Sequence, residues 1–131
     1  MSPPFAVGID LGTTHCALAW TPLTSAQRDP PDVTIEPVAQ VVAPGQVDRR
    51  PLMPSFLYLP HTSELAEDAL ALPWPDAPEG FVVGELARSL GSKTALRLIA
   101  SAKSWLCHAG IDRRAPLLPL SAPDDVDRLS P

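Results

Sequence analysis

The chain has 131 residues, 45% of them hydrophobic and 19% charged, which fits one globular domain with a core and excludes a disordered polar tract. Its net charge is −5 with only ten Lys and Arg, so it lacks the basic surplus of a nucleic-acid binder. There are 17 prolines where average usage would give about seven, which excludes a long-helix bundle or a coiled coil, since each Pro removes a backbone donor and stops helix growth.

The prolines crowd residues 22–78 and the last sixteen positions, and the Pro-free stretches 5–21 and 79–115 are where regular structure is expected. Phe5 to Asp10 is apolar at both parities and ends on a carboxylate, the pattern of a buried strand. Leu11-Gly12-Thr13-Thr14 supplies a four-residue loop, and His15 to Trp20 resumes the apolar run, so the pair reads as a β-hairpin. A third strand is expected over Val33 to Val42, with Pro37 at an edge or bulge. Ala43-Pro44-Gly45-Gln46 then reads as a linker, and the basic pairs Arg49-Arg50 and Arg113-Arg114 as surface loop residues.

Pro54 to Leu59 reads as a strand stopped by Pro60, and residues 61–78 as a surface loop broken by Pro73, Pro75 and Pro78. Phe81 to Gly84 is a short strand leading into a helix from Glu85 to Leu90, closed by Gly91. Over Thr94 to Cys107, Leu98, Ala102 and Trp105 recur at helical spacing, with Ala95 and Ile99 beside them. Lys93, Arg97, Ser101, Ser104 and His108 make the opposite, polar face. A helix is predicted there, with Trp105 in its core stripe, Lys103 solvated and Gly110 as its stop. From Asp112 to Pro131 no periodicity is left, and no internal repeat is present.

No run of ~18 apolar residues offers a membrane span, and Met1-Ser2-Pro3-Pro4 lacks the features of a signal peptide. Cys16 and Cys107 stand apart, as do His15, His61 and His108. Free thiols in a reducing cytoplasm are therefore expected, without a metal site built from side chains alone.

Chemistry concentrates in Gly8-Ile9-Asp10-Leu11-Gly12-Thr13-Thr14. Gly12 has no Cβ, so its backbone can turn sharply and approach a ligand closely. Successive amide N–H groups in such a turn form an anion-binding concavity, to which the Thr hydroxyls add donors. Asp10 beside bound phosphates would repel them unless a cation stood between, which implies Mg²⁺ held through its waters. The string is neither the GxGxxG nor the GxxxxGK[ST] type of phosphate loop.

The string Val7-Gly8-Ile9-Asp10-Leu11-Gly12-Thr13-Thr14-His15 resembles the first phosphate loop of the actin-like ATPase superfamily, in particular the DnaK-type, seventy-kilodalton heat-shock chaperones. Pro54-Ser55-Phe56 resembles that family's T-P-S strand, with Met53 in place of Thr. Val83 to Arg88 resembles its I-G-x-x-A-K segment, and Ser101 to Leu106 stands where A-K-R-L-I-G is usual. The four motifs are collinear and span roughly residues 5–115.

The resemblance implies an α/β, ribonuclease H-like (actin-like ATPase) fold with a β-hairpin, a mixed sheet and short helices. It implies ATP with Mg²⁺ as cofactor and ATP hydrolysis coupled to protein folding, with unfolded clients and co-chaperones as partners of a full-length parent. Gly12, Thr13 and Thr14 would contact the β- and γ-phosphates, and Asp10 would order the Mg²⁺ waters. Arg88 stands where the chaperones have a Lys that helps place the attacking water, and its planar fork is longer and differently aimed. His15 stands where they often carry an aromatic residue facing the nucleotide, but a packing role in the hairpin is the expectation for it.

A second strand-Asp-Gly-Gly-Thr string is absent, so the expectation is a partial ATPase domain. Residues 1–42 would give first-lobe core strands with the phosphate loop, 43–115 an outer subdomain, and 116–131 an irregular tail. Such a piece should expose the face meant for a missing lobe and bind nucleotide weakly without turning it over. Three other readings compete. A sugar or glycerol kinase would carry an Arg soon after the Thr pair, where this chain has His15-Cys16-Ala17. An MreB-like filament protein would carry Ala-Asn in place of Thr13-Thr14. A non-enzymatic remnant or interaction module would keep the fold without the chemistry.

Overall fold

A computed structural model of the chain describes residues 4–24, 29–66, 68–74 and 79–131. The expectations that fall on Met1 to Pro3, Pro75 and Pro78 lie outside these residues. The chain is mixed α/β, with nine short strands and few helices among the described residues, and every described strand pair is antiparallel rather than mixed.

The predicted hairpin forms from β1 (Phe5–Leu11) and β2 (His15–Pro22), in register from Phe5 opposite Pro22 to Leu11 opposite Cys16. The other edge of β2 is shared by β3 (Thr34–Glu36), opposite Leu18 to Trp20, and by β6 (Met53–Pro54), opposite Cys16 and His15. The Phe5 ring meets Trp20 edge-on, and the Trp20 indole N–H donates to the Glu36 carboxylate at 3.1 Å. One expectation fails here: β1 is not buried but exposed along its whole length. It is the edge of its sheet, and its apolar side chains at Phe5, Val7, Ile9 and Leu11 stay open to solvent.

The third predicted strand breaks at Pro37, which has no N–H to give to a ladder. Before it, β3 joins β2. After it, β4 (Val38–Ala43) forms a separate hairpin with β5 (Gln46–Arg50), turning at Pro44-Gly45 with Gly45 at φ +70°. What reads as a linker is therefore this turn, and Arg49-Arg50 lie on a strand, though still exposed.

A third sheet has β7 (Phe56–Tyr58) between β8 (Val82–Val83) and β9 (Leu98–Ala100). Directly after β8, α1 (Gly84–Gly91) follows close to its predicted bounds. The core gathers where α1 meets β4, β7 and β8: Val41, Tyr58, Val82, Leu86 and Ala87 are buried, with Leu65, Leu70, Leu72 and Leu98 packed against them. The loop over 61–74 thus supplies core as well as surface, and Ala69 in it is buried.

The helix predicted over 94–107 does not form. Ala95–Arg97 make a single 3₁₀ turn, Leu98 to Ala100 pair with Tyr58 to Phe56, and only Ala102–Trp105 coil into a short helix, α2. The apolar spacing that suits a helix also lets Ile99 enter the core from a strand, and pairing with β7 satisfies its backbone. Ser101 at φ 54° ends the strand. In consequence Arg97 is buried rather than on a polar face, Trp105 is half-buried against His108, and Gly110 closes no helix. Residues 116–131 are irregular, held by a bridge between Leu118 and Leu129. Among the described residues no helix is long and apolar enough to cross a membrane.

Candidate functional site

Gly12, Thr13 and Thr14 join β1 to β2 in a turn too tight for any other residue at its first position. A Cβ on Gly12 would lie 2.2 Å from the carbonyl oxygen of His15. The turn is fastened from outside its own hairpin. Ser55, just after β6, donates its hydroxyl to the Gly12 carbonyl at 2.8 Å and its amide N–H to the Thr14 carbonyl at 2.9 Å. Cys16 Sγ lies 3.4 Å from the same hydroxyl. With both carbonyls committed to Ser55, what the turn offers an anion is its amide hydrogens and the two exposed Thr hydroxyls.

Arg88 is carried by α1, whose start is locked by two contacts. Gly84 stands at φ +74° and is pressed against the Gln40 amide, leaving no room for a Cβ. Gln40, 2% exposed on β4, accepts from the Glu85 N–H at 3.0 Å and donates to the Leu52 carbonyl at 3.0 Å. The buried amide thus ties α1 to the segment just before β6. Arg88, one turn further along, pairs with Glu85 at 2.7 Å.

An open cleft of about 530 Å³ lies where these elements meet, lined by His15, Gln46, Arg50, Pro54, Glu85 and Arg88. His15 and Ala17 share one side of β2, and Asp10 is directly opposite Ala17, so Asp10 shares a hairpin face with His15, although it does not line the cleft. Parts of the chain far apart in sequence therefore meet at the cleft: His15, next after the Gly-Thr-Thr turn, its partner Pro54, and the helix bearing Arg88, while Asp10, Gly12, Thr13, Thr14 and Ser55 are not among its lining residues. Lys103 and the pair Arg113-Arg114 are exposed and not part of the cleft lining. Cys16 and Cys107 are both free thiols, the first half-buried and the second exposed.

Among the described residues no group of three or more His, Cys, Asp or Glu is placed to hold a metal ion. Asp10 is a single exposed carboxylate, a donor set that fits Mg²⁺ only when phosphates and waters supply the remaining ligands.

Sequence reasoning passed over Ser55 as a structural staple, Gln40 as a buried tie and Arg50 as a cleft residue. Gln40 had a signal, being the lone amide within Val38-Ala39-Gln40-Val41-Val42. On the opposite side of β2, a separate apolar cavity of about 450 Å³ is lined by Leu18, Val38, Val41, Met53, Trp74 and Phe81, with the Glu36–Arg49 ion pair among its walls. Comparison with known proteins yields no match: no protein-family model fits the chain, and no curated protein or solved structure is significantly similar to it.

Proposed function

We propose that the cleft is the phosphate side of a nucleotide site of the actin-like ATPase kind, and that the chain derives from an ATP-hydrolysing chaperone of DnaK type. Gly12, Thr13 and Thr14 receive the β- and γ-phosphates, Asp10 orders the waters of the accompanying Mg²⁺, and Arg88 answers the γ-phosphate charge. The observation that supports this reading is that His15 and Pro54, the immediate neighbours of the Gly-Thr-Thr turn and of the Ser55 that fastens it, line one cleft with Arg88. Phosphoryl transfer requires groups on more than one side of the phosphates, and the residues named here approach from one. The 131-residue chain accordingly binds Mg-ATP weakly and does not turn it over.

Calorimetric titration of the purified chain with ATP, with and without Mg²⁺, tests this. Weak Mg²⁺-dependent binding that Asp10→Asn abolishes is the expected result. Binding that ignores both Mg²⁺ and Asp10, or none at millimolar ATP, overturns it.

A second reading, an interaction module without catalysis, draws on the exposure of Val7, Ile9 and Leu11 along β1 at 64%, 67% and 65%. An apolar edge strand of this kind is a template for pairing with another chain. The same titration separates the two readings, since the module requires no nucleotide.

A further inference from the structure

We infer that Arg50 is a second phosphate-facing cation in the cleft, and that the ligand it selects is a polyphosphate rather than a single phosphate. The inference rests on the nucleotide reading above but adds a residue and a ligand class to it. Arg50 ends β5, where alternation sends Arg49 and Arg50 to opposite faces of the hairpin. Arg49 pairs with Glu36 and lines the apolar cavity on the far side, whereas Arg50 lines the cleft with Arg88 and His15. Three different elements, β2, β5 and α1, thus bring two guanidinium groups and an imidazole to one opening.

Among the described residues, those lining the cleft include two arginines and one carboxylate, Glu85, with Asp48 bonded to Arg50 beside it. Each arginine has a carboxylate beside it, Glu85 for Arg88 and Asp48 for Arg50, and the planar fork of Arg matches phosphate oxygens in pairs. Arg50 is held for that task without being used up. Its Nε donates to Asp48 at 2.9 Å, which braces the side chain, and the bond leaves both terminal nitrogens for a ligand. The side chains of Arg50 and Arg88 are 54% and 51% exposed, so a solute reaches both. The cleft volume of about 530 Å³ falls in the range of sites for ligands of nucleotide size, larger than a lone phosphate needs.

The test is calorimetric titration of the 131-residue protein with ATP, tripolyphosphate and orthophosphate, each with Mg²⁺. Arg50→Ala is compared with Arg49→Ala, which removes the same charge one residue away on the opposite face, and circular dichroism checks that both variants fold. ATP and tripolyphosphate are expected to bind at least about tenfold more tightly than orthophosphate. Arg50→Ala should weaken both by about tenfold or more, the scale of one charge-assisted contact, with Arg49→Ala near wild type.

Equal losses in the two variants would reduce the effect to net charge and overturn the inference. Binding of ATP that depends on Asp10 and ignores Arg50 would also overturn it, while leaving the nucleotide reading in place. Tripolyphosphate binding that depends on Arg50 and Arg88, with ATP no better and Asp10→Asn without effect, would uphold the inference and overturn the nucleotide reading. No binding of any of the three anions overturns both.

Discussion

The Ser55 hydroxyl donates to the Gly12 carbonyl at 2.8 Å, joining a turn at the start of the chain to a strand end 43 positions later. The adjoining Ser55 N–H bonds to Thr14, so one residue holds both ends of the Gly-Thr-Thr turn. Ser55→Ala keeps the backbone bond and deletes the hydroxyl, leaving a half-buried carbonyl without this donor. A loss of about 1 kcal/mol is expected from urea unfolding, the usual worth of such a bond. The turn should loosen as well, and on the nucleotide reading proposed above this lowers affinity for Mg-ATP. A variant as stable as wild type with unchanged affinity would show that the hydroxyl does not shape the turn.

Glycine is demanded at two positions for different reasons. At Gly12 the backbone conformation is unexceptional, but a Cβ would sit 2.2 Å from the His15 carbonyl oxygen. At Gly84 the φ of +74° is itself unfavourable for other residues, and a Cβ would lie 2.6 Å from Gln40 Oε1. Gly12→Ala is expected to rearrange the turn while the core, which lies elsewhere, stays cooperative, and on the proposed nucleotide reading it abolishes phosphate affinity. Gly84→Ala strikes the core side, combining strain with a displaced buried amide, and should cost about 2 kcal/mol or more in thermal or urea unfolding. If Gly84→Ala melts like wild type, the packing of α1 on Gln40 is not as described.

The exposure of β1 gives a contrast that is simple to measure. Ile9 is 67% exposed on an edge strand, while Leu86 is 2% exposed in the core between α1 and the sheets. Ile9→Ala should shift stability by no more than about 0.5 kcal/mol, whereas Leu86→Ala should cost about 2–5 kcal/mol. Comparable losses at both sites would mean that β1 is covered in solution, by a second copy or by another segment.

How far the sequence disclosed this arrangement depended on the reach of the forces involved. The β1–β2 hairpin, β8 and α1 are legible because nearby residues decide them: a Gly-Thr-Thr turn between apolar runs, and a Gly at each end of the helix. The segment after Thr94 is not, because Leu98 and Ile99 satisfy helical spacing and strand pairing alike, and the decision falls to Tyr58 and Leu57 across the sheet. For β5 the signal is weaker still: Gln46-Val47-Asp48-Arg49-Arg50 holds one apolar residue, and only β4 beside it makes it a strand. Site residues follow the same division. Gly12, Thr13 and Thr14 announce themselves in one contiguous string, whereas Arg50 joins the cleft only through the fold of its hairpin.

The tail is fastened to the core by charge, and this gives stability a pH dependence of definite sign. Arg97, buried at the position just before β9, bonds the Leu59 carbonyl at 3.2 Å and the Asp125 carboxylate, with His61 Nε2 at 3.9 Å from the same carboxylate. The hydrogen bond from Arg97 is the main cause holding the Asp125 carboxyl below its ordinary value of 3.8, against some opposing desolvation. A carboxyl depressed in the folded state stabilises that state fully above its ordinary pKa, and the contribution disappears as pH falls through the lowered folded value. Asp125→Asn should therefore be less stable than wild type near pH 7, and the gap should close on acidification below about pH 4. Urea unfolding followed by circular dichroism at pH 7, 4 and 2.5 reads the difference directly. A gap that stays constant across that range, or the lack of one at pH 7, would mean that the Arg97–Asp125 contact does not hold the tail.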